Sequence, residues 1–261
     1  MNILITNDDG IFAPGLKTLA RELNNIAQVT VVAPDREQST IGTAITLRRP
    51  LRAQRVRPIV PKVETYAVQG TPIDCVIMAL GKFVQDKVDL IISGINQGAN
   101  LGEDIFISGT VSAAMQGYLR GFPSVAISLD SKDSPYMDNA AKLAVLLVKK
   151  ITDKTLAADI LLNVNLPDLP LAKIKAITLT QIAKKSHTEL VEEKANSKQP
   201  YYWLIRRRLN NNTDKSTDIW ALEQGNISIT PLHTNILNRH SPPLPNHLGF
   251  DLHQELQRYD A

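Results

Sequence analysis

The chain has 261 residues, 43% of them hydrophobic, so it is long enough to bury a full core in one or two domains. Its 29 basic and 26 acidic residues leave a mild net charge of +3, which permits anionic ligands but does not indicate a dedicated nucleic-acid binder. The single cysteine, Cys75, excludes an internal disulfide framework. The sequence shows neither an apolar stretch of membrane-spanning length nor the pattern of a signal peptide. We therefore predict a cytoplasmic protein.

Strands and helices are predicted to alternate from the first residues onward. Short runs of branched residues indicate strands, and apolar residues at spacings of 3, 4 and 7 indicate helices. The predicted strands are 3–6, 29–33, 66–68, 88–92, 124–128 and 160–164, and the predicted helices begin at Pro14 and Pro72 or span 110–119 and 136–151. This alternation predicts a three-layer α/β/α, Rossmann-like fold with a mostly parallel sheet.

The pattern changes after about residue 183. The segment YYWLIRRR at 201–208 predicts a strand, and DIWALEQGNISITPL at 218–232 predicts two strands joined around Gln224, Gly225 and Asn226. We therefore expect one domain, with an α/β core at about 1–183 and a C-terminal antiparallel hairpin extension at about 184–261 that ends in a short helix after Pro242 and Pro243. An isolated hairpin cannot bury its own aromatic side chains, so we expect it to pack on another subunit of a homo-oligomer. The alternative is an edge extension of its own sheet.

Polar residues follow each of the early strands. Asn7, Asp8, Asp9 and Gly10 follow the first strand, and polar segments follow the strands ending near residues 33, 68 and 92. The carboxyl ends of parallel strands meet at one rim, where ligands bind in open α/β sheets. Two adjacent carboxylates at roughly 4 Å repel each other by about 1–4 kcal/mol, so a bound cation is the simplest compensation, although Asp-Gly is also a common turn pair.

The segment from Ser93 to Thr110 is the richest in candidate ligands. Its glycines allow close approach of the backbone, and the start of the predicted third helix at Ser108 offers free N–H groups to an anion. The candidate ligand atoms at this rim are oxygens and amides, and all five histidines come at residue 187 or later. Hard oxygen ligands favour Mg²⁺ or Mn²⁺ over Zn²⁺, so we expect a cation that bridges the carboxylates to a phosphate group.

Six segments in the same order resemble the stationary-phase survival protein (SurE) family of metal-dependent nucleotidases. They are NDDG at 7–10, PDREQS at 34–39, GTPIDCV at 70–76, SGINQGANLG at 93–102, SGTVSAAMQG at 108–117 and ALEQGNISITPL at 221–232. The resemblance implies one divalent cation per subunit, Mg²⁺ or Mn²⁺, and a homo-oligomer that is a dimer or a tetramer. It also implies hydrolysis of nucleoside monophosphates, with 5′-nucleotides as the main substrates and 3′-nucleotides and short polyphosphate as further candidates. The implied metal ligands are Asp8, Asp9, Ser39 and Asn96, with Asp8 and Asp9 as catalytic residues, and the candidate phosphate contacts are Asn7, Gly42, Ser108, Gly109 and Thr110.

Other functions remain as alternatives. A dinucleotide-dependent oxidoreductase needs G-x-G-x-x-G after the first strand, where this chain has NDDGIFAPG. A haloacid-dehalogenase-type phosphatase needs two aspartates separated by one residue, whereas Asp8 and Asp9 are adjacent. An oligomeric nucleotide-binding protein without activity is distinguished by the lack of metal-dependent turnover. The general base stays open, and we predict that Gln116, where the family commonly has Glu, is not catalytic.

Overall fold

The computed structural model describes residues 1–84, 88–157, 159–184, 187–194, 201–208 and 214–233. Their strands are β1 (Asn2–Thr6), β2 (Gln28–Pro34), β3 (Ala53–Arg55), β4 (Glu64–Val68), β5 (Leu90–Gln97), β6 (Ser124–Leu129), β7 (Leu161–Leu166), β8 (Ile177–Leu179), β9 (His187–Lys194), β10 (Tyr201–Arg208) and β11 (Ile227–Pro231). Their α-helices are α1 (Pro14–Leu23), α2 (Pro72–Met78), α3 (Gly109–Leu119), α4 (Met137–Thr152) and α5 (Asp218–Glu223).

Nine of these strands form one sheet in the order β3-β4-β2-β1-β5-β6-β7-β11-β8. The six strands from β4 to β7 run parallel, whereas β3 and β11 are antiparallel to β4 and β7, respectively. The predicted mostly parallel sheet is therefore confirmed. The chain order runs outward in both directions from β1, so the carboxyl ends of β1 and β5 form the switch point at which open α/β sheets bind ligands.

Helices cover both faces of this sheet and form the two outer layers of the predicted three-layer fold. Helix α1 has Pro14 at its first position and buries Leu16, Leu19 and Leu23, and it packs beside α4 on one face. Helices α2 and α3 pack on the opposite face, where Cys75 is fully buried, as expected of a core residue. None of the helices within the described residues is long and apolar enough to cross a membrane.

The prediction of two strands at 218–232 is wrong for the first of them. Residues 218–223 form helix α5, because the Thr217 side chain caps its N-terminus by accepting a hydrogen bond from the Trp220 backbone N–H. Ile219 and Leu222, three residues apart, point into the core. The second predicted strand exists as β11, but it joins the central sheet beside β7 rather than a separate hairpin.

The antiparallel hairpin lies earlier in the chain, in β9 and β10. These two strands pair from His187–Arg208 to Lys194–Tyr201 and form a separate two-stranded sheet. The hairpin exposes large apolar side chains, with Trp203 55% and Leu204 77% exposed. The segment after Pro242 and Pro243, with its expected helix, lies outside the described residues, and the boundary at residue 183 stays a prediction.

Candidate metal and phosphate site

Strand β5 continues five residues beyond its predicted end and carries Asn96 to the rim of the sheet. Residues 93–97 were expected to form a loop, but Asn96 pairs with Ser128 after an irregularity in the register. Gly94 makes this extension possible, because its φ is +143° and an added Cβ would lie 2.4 Å from the Ile127 carbonyl oxygen. Asn96 is therefore held on a strand rather than on a loop.

The two aspartates after β1 lie where loops from other strands converge. Asp8 is 4% exposed, and its Oδ1 accepts a hydrogen bond from the Thr110 hydroxyl at the start of α3. The backbone oxygen of Asp8 accepts from the Gln38 N–H after β2 at 2.7 Å. Asp9 Oδ2 accepts from the Gln97 N–H at the end of β5 at 3.3 Å. The structure thus brings segments after β1, β2 and β5 together at the switch point.

Burial perturbs both carboxylates. Burial raises the pKa of Asp8, and hydrogen bonds from the Thr110 hydroxyl and from the backbone at Thr110 and Gly109 oppose that shift. Burial and, second, the charge of Asp8 raise the pKa of Asp9 to about 7. No cationic side chain of the described residues offsets these two charges. A bound cation at this position would relieve both the desolvation and the repulsion.

The other two expected ligands are each the sequence neighbour of a residue that contacts this pair. Ser39 follows Gln38 directly, is exposed, and donates its hydroxyl hydrogen to Glu37. Asn96 donates from Nδ2 to the Gly98 carbonyl oxygen at 2.6 Å, which leaves its Oδ1 as the atom available to a cation. The connections to Asp8 and Asp9 through Gln38 and Gln97 place both residues at the same rim.

Asn7 adds an orphaned oxygen at the end of β1. Its Nδ2 donates to the Gly10 carbonyl oxygen at 3.0 Å and supports the turn, in which Gly10 has a φ of +99°. Its Oδ1 is buried and has no hydrogen-bond partner within the described residues. Because a buried acceptor without a partner is costly, this oxygen fits a bound cation or an ordered water. A phosphate contact by Asn7 stays a prediction.

The Ser108–Thr110 turn forms the N-terminus of α3 and contacts Asp8 directly. Ser108 caps the helix by accepting from the Val111 N–H at 3.1 Å. An added Cβ on Gly109 would lie 2.7 Å from the Asp8 Cβ, so only glycine allows this approach. Since Asp8 already lies at this helix N-terminus, a phosphate group there would place a second anion beside it, and that arrangement requires a cation.

Gly42 lies against the same segment from the other side. It has a φ of +59°, and its N–H donates to the Ile107 carbonyl oxygen at 2.9 Å. This hydrogen bond ties the loop after β2 to the residue before Ser108. Because the Gly42 N–H is already paired, a contact between Gly42 and phosphate stays a prediction.

The donor set at this rim consists of oxygen atoms. Within the described residues, no group of three or more His, Cys, Asp or Glu side chains is placed to hold a metal. The candidate set combines two carboxylates with a hydroxyl and an amide oxygen, which suits a hard divalent cation that keeps several waters. His187 lies near Asp104 instead, and His233 is exposed. His240, His247 and His253 fall outside the described residues.

Two acidic residues that were not predicted from the sequence form hydrogen bonds and ion pairs that stabilise the segment before Ser108. The fully buried Asp218 accepts from the Gly102 N–H at 2.8 Å and from the Ala183 N–H at 3.0 Å. Asp104 accepts from Arg206 Nη2 at 2.6 Å, with His187 Nδ1 at 3.0 Å from its other oxygen. The one local sequence signal for these contacts is that Asp218 follows Thr217, which caps a helix. The groups given above as partners of the two carboxylates lie far away in the sequence.

Together, the fold and this rim define an open-sheet α/β protein with polar segments that converge at the switch point of its strand order, the position where such sheets bind ligands. The family model described as survival protein SurE matches residues 3–189. The chain therefore belongs to the SurE family.

Relatives match over most of their length. The chain is 47% identical over 241 residues to the 5′-nucleotidase SurE of Dehalococcoides mccartyi strain CBDB1, which covers 92% of this chain and 91% of the relative. It is 45% identical to the 5′-nucleotidase SurE of Synechococcus sp. strain JA-3-3Ab, over 90% of this chain and 93% of the relative. The crystal structure of the SurE protein from Aquifex aeolicus matches with a TM-score of 0.77 at 37% identity, covering 98% of this chain and 100% of that one.

Proposed function

We propose that this chain is a 5′-nucleotidase, a divalent-metal-dependent phosphomonoesterase that converts nucleoside monophosphates to nucleoside and phosphate. One observation carries the proposal. The adjacent carboxylates Asp8 and Asp9 meet the N-terminus of α3 at the switch point of the sheet, with no cationic side chain of the described residues between them. Family membership and relatives named 5′-nucleotidase support the same activity.

The proposed cation ligands are the carboxylates of Asp8 and Asp9, the Ser39 hydroxyl and the Asn96 Oδ1. When bound, the cation supplies positive charge to the phosphate oxygens and activates a water for attack on phosphorus. Mg²⁺ and Mn²⁺ are the proposed ions, because all of these ligand atoms are oxygens.

The chain's own groups have three tasks in this proposal. The turn from Ser108 to Thr110 binds and orients phosphate oxygens at the positive end of the α3 dipole. Thr110 also holds Asp8 in place through its hydroxyl. One of the carboxylates of Asp8 and Asp9 is the proposed acceptor of the proton that the attacking water loses.

Metal removal and two substitutions test this proposal. We expect chelation to abolish hydrolysis of AMP and added Mg²⁺ or Mn²⁺ to restore it. Asp8→Asn and Asp9→Asn should each lower kcat by about a hundredfold or more, since each removes a carboxylate from the cation and from proton transfer. Asp138→Asn, an exposed aspartate paired with Arg21, is the matched control and should retain wild-type turnover.

Two results contradict the proposal. One is full activity in a metal-stripped sample. The other is near wild-type turnover in either site variant at modest metal concentration. A panel of 5′-nucleotides, 3′-nucleotides and short polyphosphate, measured with each metal, then defines the substrate range and the preferred ion.

We also propose that the chain acts as a homo-oligomer in which one subunit covers the exposed face of the β9–β10 hairpin of another. The exposed Trp203 and Leu204 support this, because an isolated two-stranded ribbon is marginally stable in water. Light scattering at micromolar protein should give a dimer or tetramer, and Trp203→Ser with Leu204→Ser should shift it toward smaller species. Leu171→Ser, at an exposed leucine outside the hairpin, is the control. A wild-type monomer contradicts the proposal.

A further inference from the structure

A cavity of about 180 Å³ lies beside the candidate metal site. It is lined by the loop after β2 and by the turn between β4 and α2. Its wall combines the apolar side chains of Ile41 and Ile45 with four long polar side chains, those of Arg36, Gln38, Arg49 and Gln69. Arg36 and Gln38 belong to the segment PDREQS, of which the proposed function uses only Ser39.

Two lining residues of the cavity contact the segment of the two carboxylates through their backbone. The backbone N–H of Gln38 donates to the Asp8 backbone oxygen at 2.7 Å. The backbone of Arg36 packs on Gly10, where an added Cβ would lie 3.0 Å from the Arg36 carbonyl carbon. The loop that lines the cavity is therefore in direct contact with the segment that carries Asp8 and Asp9.

Hydrogen bonds hold the far wall in place. The Thr71 hydroxyl donates to the Ala44 carbonyl oxygen at 2.8 Å. Asp74 accepts from the Thr46 N–H and from the Thr71 N–H, each at 2.9 Å. The carboxylate of Asp74 is therefore engaged by backbone N–H groups, and the loop is fixed at both of its contacts with α2.

Two cationic side chains and no acidic side chain of the described residues line the cavity. Arg49 forms no ion pair within the described part of the chain. Arg36 forms a long ion pair with Asp35 at 3.7 Å, and 73% of its side chain stays exposed. Two guanidinium groups beside a phosphate-hydrolysing site match the chemistry of a further phosphate, since arginine binds phosphate through paired hydrogen bonds.

We propose that this cavity, formed around Arg36 and Arg49, binds a second phosphate group of the substrate while the first lies at Asp8 and Asp9. The inference rests on the proposed function, because it takes the scissile phosphate to lie at the metal site. A nucleoside bisphosphate and a short inorganic polyphosphate both supply such a group. The amides of Gln38 and Gln69 add hydrogen-bond donors to the same ligand.

The test compares Arg49→Met with Arg48→Met. Arg48 is the preceding residue, is exposed and does not line the cavity, so it controls for the loss of one positive charge. Three probes are used at constant free Mg²⁺, because polyanions chelate the ion. AMP is the substrate with one phosphate, and adenosine 3′,5′-bisphosphate and tripolyphosphate are inhibitors of AMP hydrolysis.

We expect Arg49→Met to raise the inhibition constant of one or both inhibitors by about tenfold more than it raises the KM for AMP. That factor corresponds to the loss of one charge-assisted contact. Arg36→Met should act in the same direction, and Arg48→Met should give equal, small changes for all three probes. A selective effect on tripolyphosphate identifies an inorganic chain as the ligand, and a selective effect on the bisphosphate identifies a nucleotide. Equal changes for all probes in Arg49→Met, or equal effects in Arg48→Met and Arg49→Met, overturn the proposal.

Thermal unfolding separates this inference from the proposed function. Tripolyphosphate and the bisphosphate should raise the Tm of the wild type more than phosphate alone does, and Arg49→Met should lose that difference. This readout needs no turnover. A wild type that fails to hydrolyse AMP but keeps the Arg49-dependent Tm shift overturns the proposed activity and leaves the binding site standing.

Discussion

Gly109→Ala should damage the site through a single methyl group. The added Cβ would lie 2.7 Å from the Asp8 Cβ and 2.9 Å from the Asp8 Oδ2, with the Pro72 Cγ at 3.1 Å. Carbon atoms pack at about 3.5–4.0 Å, so Asp8 or the start of α3 must move by roughly 0.8 Å. Asp8 is 4% exposed and held by the Thr110 hydroxyl, so little free space can absorb that movement.

The size of the effect follows from the displacement. A shift of about 1 Å at a reacting group costs on the order of a hundredfold in rate, which corresponds to about 2.7 kcal/mol. The overpacking itself costs about 1–3 kcal/mol of stability. We therefore expect kcat/KM to fall about a hundredfold while the Tm falls by only a few degrees.

Gly117→Ala is the matched control in the same helix. Its Cβ would lie 2.6 Å from the Ser124 Oγ and 2.7 Å from the Ile91 Cδ1, far ends of side chains that lie away from the carboxylates. This variant should lose comparable stability but keep kcat/KM within about threefold of the wild type. The assay is hydrolysis of AMP at saturating Mg²⁺ with thermal unfolding in parallel. Equal activity in the two variants would refute the contact between Gly109 and Asp8 as a determinant of the reaction.

Three further predictions concern other residues. Burial and the Asp8 charge raise the pKa of Asp9 to about 7. The folded protein therefore binds a proton at Asp9 more tightly than the unfolded chain does, so the metal-free wild type should gain stability as pH falls from about 7 toward 4. Asp9→Asn should lose that gain, and its Tm at pH 7.5 should equal or exceed that of the wild type. Thermal unfolding at pH 5.5 and 7.5 checks this, and a metal-free Tm that rises with pH contradicts it. Gln116→Glu, on α3 beyond its first turn, should change kcat/KM by less than about tenfold, or 1.4 kcal/mol, and a larger loss places this side chain in the site. Arg206→Met should lower the free energy of unfolding in urea by about 1–2 kcal/mol, because it removes the guanidinium that lies 2.6 Å from the buried Asp104. The control Arg207→Met, at an exposed arginine, should lower it by less than about 0.5 kcal/mol. Equal losses in the two variants contradict a stabilising role of the Arg206–Asp104 contact.

The sequence by itself determined the sheet and the segments that meet at its rim. Branched apolar runs such as Ile3–Ile5 and Leu90–Ile92 form strands because they are buried on both faces of a parallel sheet, and this composition is visible without any partner. The polar groups of Asp8 and Asp9 directly follow the first of these runs. Because parallel strands end at one rim, the list of residues after each strand was enough to predict which polar segments meet there.

The tertiary structure decided where local patterns are ambiguous or partners are distant. Residues 218–223 are too short for periodicity to separate a helix from a strand, and burial against the core with the Thr217 cap favoured the helix. Asn96 lies on β5 because β6 supplies its pairing partners. The contact between Asp8 and Thr110 spans 102 residues of sequence, and no local pattern encodes it. Side-chain contacts of this kind depend on how the helices pack on the sheet, which only the folded chain determines.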